Sequence, residues 1–417
     1  MNQIALFTIA SGNYFPQVKT LLNSVSDLHT EIDLYFFLAD EISAPITENS
    51  DGFKVICAKQ LNIENFETLA FKYNIIEFNT AIKPFCFDYL FNIKKYQKII
   101  YLDPDIYVFN RLDFIINLLH EYSILFTPHI ADKKYASENF INIEFSFLRF
   151  GVYNLGFVAL RKDIESEYLL EWWKKRCHDN CYVFKNDSTY VDQKWMDLAP
   201  SLFDNIHIIK HLGCNMAYWN IQERQLNENL KVNNAFDLLF FHFSGFDFKD
   251  EQKITSNGSI TYNLDNRSDL KPIFDTYRKA ISKNIDIKNY IPEYKYSKFE
   301  NGVSITEYQR NIYQYLTDIF TNPFSLQKPS FYHFAKKRHK LSTISNEKAD
   351  FSIDVLLGKK KNLWYVKISL YIFKILHNLL GSIKFFSLAN QTKNFMVYLS
   401  SNSFLLESNE VNKKRTK

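Results

Sequence analysis

The stretch Lys98-Ile-Ile-Tyr-Leu-Asp-Pro-Asp-Ile-Tyr-Val-Phe109 decides how the rest of the chain is read. Its apolar opening, Ile99 to Leu102, has the pattern of a strand buried on both faces of a parallel sheet. The run ends in Asp103-Pro104-Asp105. Residues i and i+2 of an extended segment project to one side, so both carboxylates are expected to aim at a common point past the strand. In open α/β sheets that carboxyl edge is where ligands sit. Two ionised carboxylates this close repel each other unless a cation lies between them, which makes a divalent metal ion the natural third party. Pro104 fixes its own φ and biases Asp103 toward extended geometry, which stiffens the pair. Taken alone, Asp-Pro-Asp is equally an ordinary solvated turn, because Asp and Pro are turn residues.

Working outward, residues 2–10 read as a buried first strand, and Ser11-Gly12-Asn13 as a turn. Tyr14 to Leu28 carries helical periodicity through Val18, Leu21, Leu22 and Val25. Ile32 to Ala39 and Phe53 to Ala58 have strand character, and helical stretches are expected at about 62–73 and 76–92. A further strand is expected at Phe157 to Arg161, followed by a helix from Asp163 to Cys177. Strands alternating with helices predict an α/β fold with a parallel, doubly wound sheet. The rhythm loosens after residue 275. The expected division is a catalytic domain over 1–275, a mainly helical extension over 276–345, and a basic amphipathic region over 346–417.

With 46% hydrophobic and 17% aromatic residues among 417, the chain is not of the disordered class. Its five cysteines are odd in number and lack CxxC spacing, and Cys177 and Cys181 on one helical face suit packing better than zinc. This predicts a reduced, cytosolic protein. Met1-Asn-Gln offers no basic leader, and no apolar run reaches the length of a membrane span. Residues 331–417 carry 16 Lys and Arg against 5 Asp and Glu, a local charge of +11 inside an overall +4. Lys336-Lys-Arg-His-Lys340 and Lys359-Lys-Lys361 flank a Leu, Ile and Phe-rich stretch from Leu363 to Phe386. As a helix it sets Lys367, Lys374, Asn378 and Lys384 in a narrow polar stripe. That pattern fits a peripheral helix on the inner face of an anionic membrane, and equally a helix packed on the preceding domain. Lysines accompanied by aliphatic bulk, with no reading motif, argue against nucleic acid.

Four further segments carry polar groups that gain meaning beside Asp103 and Asp105. They are Gly151-Val-Tyr-Asn-Leu-Gly-Phe-Val-Ala-Leu-Arg161, Tyr190-Val-Asp-Gln-Lys-Trp-Met-Asp197, His211-Leu-Gly-Cys-Asn-Met-Ala-Tyr-Trp-Asn220 and Phe240-Phe-His-Phe-Ser-Gly-Phe246. Each has a plain structural explanation. Asn154 suits a turn, Asp192 a helix cap, His242 a satisfied core position, and Tyr218 with Trp219 core packing. In this order and spacing, however, the set resembles the retaining, sugar-nucleotide-dependent glycosyltransferases of GT-A fold, particularly glycosyltransferase family 8 and its bacterial polysaccharide relatives. The resemblance runs from residue 4 to about residue 250. Tyr-Leu-Asp-Pro-Asp is similar to the family's Asp-x-Asp motif, Tyr-Asn-Leu-Gly-Phe to its Asn-Ser-Gly segment, Val-Asp-Gln to its Asp-Gln pair, and Phe-His-Phe-Ser-Gly-Phe to its terminal His-x-x-Gly. The family's Lys-Pro-Trp tail is missing, and Phe246-Asp-Phe-Lys249 stands in its place.

The resemblance implies a GT-A domain with a helical extension. It also implies transfer of a sugar from a nucleotide-diphosphate donor, UDP in preference to GDP, to a saccharide or lipid-linked glycan acceptor with retained configuration. A leaving diphosphate gathers negative charge that a hard divalent ion stabilises. Asp103, Asp105 and His242 would hold the metal, with the His favouring Mn²⁺ over Mg²⁺. Lys83 or Lys249 would add a positive charge. Thr8, Ser11, Tyr14 and Gly245 would line the nucleotide, and Asn154, Asp192 and Gln193 would face the donor sugar. Asp192 is the only carboxylate among those sugar-side positions. Two rivals remain: a module that binds a nucleotide sugar or glycan without turnover, and a haloacid-dehalogenase-like phosphohydrolase. The phosphohydrolase wants Thr or Val two residues past its second Asp, where Tyr107 stands.

Overall fold

The computed structural model describes residues 3–339, apart from 43, 45, 48, 51, 134–140, 184–187, 258–261 and 287–291, together with 375, 378 and 379. The basic region at 346–417, those three positions excepted, therefore lies outside the described residues, as does Lys340. Two compact units partition the chain, Met1–Lys298 and Phe299–Lys417.

The first unit is built on an eight-stranded sheet. Its strands are β1 (Ile4–Ala10), β2 (Asp33–Leu38), β3 (Asn49–Ser50), β4 (Phe53–Cys57), β5 (Lys98–Leu102), β7 (Ile124–Pro128), β8 (Tyr153–Arg161) and β9 (Ile206–Ile208). A second sheet has three: β6 (Ile106–Val108), β10 (Met216–Ala217) and β13 (Phe240–His242). A separate hairpin pairs β11 (Lys231–Val232) with β12 (Phe236–Asp237). Around the sheets run α1 (Phe15–Ser26), α2 (Phe66–Lys72), α3 (Ile75–Ala81), α4 (Lys83–Asp88), α5 (Asp113–Glu121), α6 (Ile141–Phe150), α7 (Ile164–Asn180), α8 (Ala199–Leu202) and α9 (Lys271–Ser282).

The large sheet has the order β3-β4-β2-β1-β5-β8-β7-β9. Its central run, β4-β2-β1-β5, is parallel, as alternating strands and helices predict. Beyond β5 the sheet departs from that expectation. Strand β8 lies antiparallel to both β5 and β7, so the sheet is mixed. Its apolar interior, buried on both faces, reads the same in either direction, so composition did not reveal its orientation.

Alternate residues of each central strand feed two cores. Leu6, Phe36, Ile100 and Leu102 join the cluster beneath α1 and α5. On the other face, Phe7 packs against Phe37, Tyr101 and Phe87 of α4, and Phe87 in turn meets Trp173 of α7. A third cluster joins the small sheet to α9, where the Phe243 and Tyr277 rings stack at 4.0 Å. Helix α7 begins with a capping box, Asp163 with Ser166, and runs three residues past the expected Cys177. All five cysteines are free thiols, with Cys86, Cys177, Cys181 and Cys214 buried and Cys57 partly so. No helix of the described residues is long and apolar enough to cross a membrane.

In the second unit, α10 (Glu307–Tyr313) starts from a Thr306–Gln309 capping box, and α11 (Phe331–His339) follows. Tyr313 and Phe331 pack together with ring centroids 5.2 Å apart.

Candidate active site

The chain leaves the large sheet at Leu102 and enters the small one at Ile106, so Asp103-Pro104-Asp105 is the bridge between them. The two carboxylates do not converge along an extended strand as the spacing suggests. They converge through a turn, closed by the Ile106 N–H donating to the Asp103 carbonyl at 3.1 Å. The Asp103 N–H donates to the Gly156 carbonyl at 2.8 Å, which carries the β5–β8 pairing one residue into the turn. The Tyr101 hydroxyl donates to the Asp103 carboxylate.

His242 arrives by strand pairing. β13 runs antiparallel to β6 and sets His242 opposite Ile106, while the Phe243 N–H donates to the Asp105 carbonyl at 2.8 Å. Its Nε2 then lies 3.0 Å from Asp105 Oδ1 and 3.7 Å from Asp103 Oδ2. One ligand atom from each of the three lies within 4.8 Å of the others. Two hard oxygens and an imidazole nitrogen form a donor set suited to a divalent metal ion. Burial lowers the His242 pKa, but Asp105 and Asp103 outweigh it and raise the group above its ordinary value. Asp103 is itself raised, by burial foremost, with Lys83 and His242 opposing. Gly156 makes room for the imidazole. A Cβ at that position would come within 2.5 Å of His242 Cε1.

Lys83 is the first residue of α4, and its side chain is only 2% exposed. Its Nζ reaches Asp192 Oδ2 at 2.9 Å and the Leu155 carbonyl at 3.0 Å, and lies 4.5 Å from the centre of the Tyr101 ring. Burial opposes the charge, but Asp192 and Asp103 overcome it and raise the Lys83 pKa. Asp192 precedes a 3₁₀ helix over Gln193–Leu198 and does not cap it; its carboxylate is turned to Lys83 instead.

Gln193 and Asn154 hold the adjoining loop. Gln193 Oε1 accepts from the Leu155 N–H at 3.1 Å, and its Nε2 donates to the Phe150 carbonyl at 3.0 Å. Asn154 Oδ1 accepts from the Gly156 N–H at 3.1 Å and from Asn215 Nδ2 at 2.9 Å. Asn215 lies in the His211–Asn220 segment, where no local pattern marks it. It also donates to Thr127 Oγ1 at 2.9 Å. Trp219 is buried, with its ring edge-on to His242 and the centroids 5.1 Å apart. His129, unnoticed in the sequence, stacks on Phe147 at 4.8 Å and meets Trp219 at 5.6 Å.

Among the nucleotide-side candidates, Tyr14 stands near the acidic pair: burial first, then Asp105 and Asp103, raise its hydroxyl pKa. Ser11 Oγ accepts from Asn79 Nδ2 at 3.2 Å, and Thr8 Oγ1 is buried with no hydrogen-bond partner among the described residues. Gly245 sits in a turn at φ +71°, where side chains are strained. Lys249 is exposed, its backbone N–H donating to Asp247 Oδ1, and it forms no ion pair among the described residues.

A second cluster, His29, Glu31 and Asp113, has the composition of a metal site but not its hydrogen bonding. His29 Nε2 accepts from the Leu112 N–H at 2.8 Å, which assigns the proton to Nδ1 facing Glu31. Arg111 pairs with both Glu31 and Asp113. The group is a salt-bridged corner.

No family model matches the chain. It is similar to two uncharacterized proteins of Bacillus subtilis (strain 168). YfnD is 23% identical over 303 residues, 70% of this chain and 94% of YfnD. YfnF is 23% identical over 290 residues, 66% of this chain and 91% of YfnF. Among solved structures it is similar to the galactosyltransferase LgtC in complex with donor and acceptor sugar analogs, at 14% identity and a TM-score of 0.40, over 67% of this chain and 95% of that one. It is similar to the glycosyltransferase GlyE of Streptococcus pneumoniae TIGR4, at 14% identity and a TM-score of 0.41, over 71% of this chain and 67% of that one. Mouse xyloside xylosyltransferase 1 matches at 14% identity and a TM-score of 0.35, over 57% of this chain and 97% of that one. At these values the functional reading rests on the residues themselves.

Two stability predictions follow from the buried charges. Replacing Lys83 by Met leaves Asp192 buried and unpaired, and denaturant titration is expected to show a loss of about 3–5 kcal/mol. Adding Asp192→Leu should recover part of it; a Lys83→Met variant as stable as wild type would show that the pair carries no structural weight. For His129, burial holds the folded pKa down to about 4 from 6.5. Between those values the unfolded chain binds a proton that the folded chain does not. Stability is therefore full above the unfolded pKa and falls as the pH drops, by about 3 kcal/mol in all. Melting curves across this window should flatten in a His129→Gln variant.

Proposed function

We propose that this chain is a glycosyltransferase that moves a sugar from a nucleotide-diphosphate donor, with UDP the favoured nucleotide, to a saccharide or lipid-linked glycan acceptor. One observation carries the reading: Asp103, Asp105 and His242 come from two strand systems and bring three metal-ligating atoms within 4.8 Å of one another at the junction of the sheets. The donor set fits Mn²⁺, with Mg²⁺ second. A divalent ion held there would supply positive charge to the diphosphate as it leaves.

The chain's own residues take the remaining roles. Lys83 is kept protonated by Asp192 and adds fixed positive charge beside Asp103. Burial raises the Asp192 carboxyl above its ordinary value; the Lys83 ion pair opposes that shift and favours the charged form, the state required to steady a cationic sugar or to attack it. Gln193 is committed to backbone groups, and Asn154 to the Gly156 N–H and the Asn215 side chain, so they position the sugar-side loop. Tyr14 and Ser11 line the nucleotide side at the end of β1. Retention of configuration belongs to the same proposal, resting on the resemblance of Val191-Asp192-Gln193 to the family's Asp-Gln pair.

Thermal shift and donor hydrolysis test this reading. The purified chain is screened against UDP-, GDP-, CMP- and dTDP-sugars with Mn²⁺, Mg²⁺ or EDTA, alongside Asp103→Asn/Asp105→Asn. A UDP-sugar is expected to stabilise the protein in Mn²⁺, by about 2.7 kcal/mol at a hundredfold excess over its Kd. EDTA and the double substitution should both abolish the effect, and slow hydrolysis of that donor should follow. Binding without hydrolysis or transfer would favour the non-catalytic module; no response to any donor would overturn both the transfer reading and a module that binds nucleotide sugars. Gly156→Ala gives an independent check, because the added methyl drives against His242. Mn²⁺ affinity by titration calorimetry should fall roughly 10–100-fold, as when a group orienting a metal ligand is lost.

A further inference from the structure

On the outer side of α7 the first unit carries a surface groove of about 700 Å³. None of the candidate site residues lines it. Its floor is aromatic, formed by Trp172 of α7, Trp195 of the 3₁₀ helix and Phe203. Trp172 meets Trp195 and Phe203 edge-on, with centroids 6.4 and 5.6 Å away. The Trp195 indole N–H donates to the Asn180 carbonyl at 3.0 Å, so that ring is pinned before anything binds. Glu171, Arg176 and Asp204 stand at the rim. Glu165 also lines the groove and accepts from the Asp204 N–H at 3.0 Å. Beside the floor, Tyr168 and Leu202 are 58% and 54% exposed. Aromatic faces with a few polar groups at their edge are the lining that small-molecule sites use.

The chemistry of the lining selects the occupant. Glu165, Glu171 and Asp204 outweigh Arg176 and the Lys174 that pairs with Glu171, so the lining stays net negative and disfavours an anion. An organic cation is disfavoured for a different reason. The Arg176 guanidinium already lies 5.7 Å from the ring centres of both Trp172 and Trp195, so the chain fills the cation position over those rings itself. What suits the remaining surface is a neutral molecule with C–H faces to lie on the rings and hydroxyls to bond the carboxylates and guanidinium. We propose that this groove binds a neutral saccharide chain, at a second site apart from the Asp103–Asp105–His242 centre. Its volume lies in the range of roughly 300–1,000 Å³ usual for small-molecule sites. Trp195 shares a short 3₁₀ helix with Gln193, so an occupied groove rests on the element that carries one of the sugar-side candidates. The site stands on its lining alone and holds even for a chain that transfers no sugar.

Affinity electrophoresis of the full chain tests it. Native gels contain dextran, mannan, galactan or glycol chitin, with polygalacturonate and plain gels as controls. The variants are Trp172→Ala, the exposed Tyr168→Ala, which keeps the test valid should the first misfold, and Asp103→Asn/Asp105→Asn. Wild type and the double Asp variant are expected to be retarded in at least one neutral gel. The apparent dissociation constant should rise about fivefold or more in both aromatic variants, as loss of an aromatic contact requires. Three results would overturn the proposal: no retardation in any neutral gel, retardation by polygalacturonate alone, or retardation indifferent to both aromatic variants. A dimer in gel filtration that Trp172→Ala converts to monomer would assign the groove to a second copy and overturn it equally. Retardation that survives while every donor response is lacking would sink the transfer reading and leave this one standing.

Discussion

Everything at the candidate site depends on a short ladder of backbone hydrogen bonds, the antiparallel pairing of β13 with β6. β6 is the continuation of the central strand β5 after a three-residue turn, so its position is set by the large sheet. β13 has no such anchor of its own. It is held by β6 on one side, by β10 on the other, and by the aromatic cluster of Phe241, Phe243, Phe274 and Tyr277 beneath. Side chains alternate along a strand, so slipping this register by one residue would point His242 away from Asp105. The bulky aromatics that flank His242 make such a slip costly, because they would leave the core at the same moment. A pairing of three rungs therefore fixes the geometry of a three-residue donor set.

The second constraint is a buried charge pair that links parts of the chain remote in sequence. Lys83 opens a helix, Asp192 precedes a 3₁₀ helix, and the Leu155 carbonyl belongs to β8. One ammonium group satisfies the last two together. Desolvating both charges is expensive, and the attraction between them mainly offsets that expense. The pair thus contributes placement and local field more than stability, with two layers of the fold held to a common point.

Much of this was legible in the sequence. The central parallel strands announce themselves as apolar runs, and Asp103, Asp105 and His242 stand out because acids and imidazoles at the ends of such runs need partners; Asp192 gains its meaning from the resemblance of Val191-Asp192-Gln193 to the family's Asp-Gln pair. What stayed hidden was of another kind. β6, β10 and β13 have only two or three residues each, too few to show a period, so the small sheet that delivers His242 leaves no pattern. The direction of β8 is invisible because a strand buried on both faces is apolar read either way. The partnership of Lys83 with Asp192 depends on tertiary packing, and the sequence offers Lys83 and Lys249 alike as sources of positive charge. Gly156 looks like any flexible position until the His242 ring is found resting against it. His129 and Asn215 carry no local signal, since their roles lie wholly in what surrounds them.

The distribution of the free thiols has a consequence of its own. Cys86 and Cys177 sit in the helical layer of α4 and α7, and Cys214 on the far side of the sheet, in the cluster beneath α1 and α5. Burial pushes all three thiols above their ordinary pKa and shields them from reagents. A thiol reacts as its thiolate and only when reached. Each cysteine therefore registers the opening of its own layer, and the chain holds a built-in chemical clock for local unfolding. Comparing the labelling rate of Cys214 with that of Cys86 and Cys177 would tell whether the two faces of the sheet come apart together or in turn.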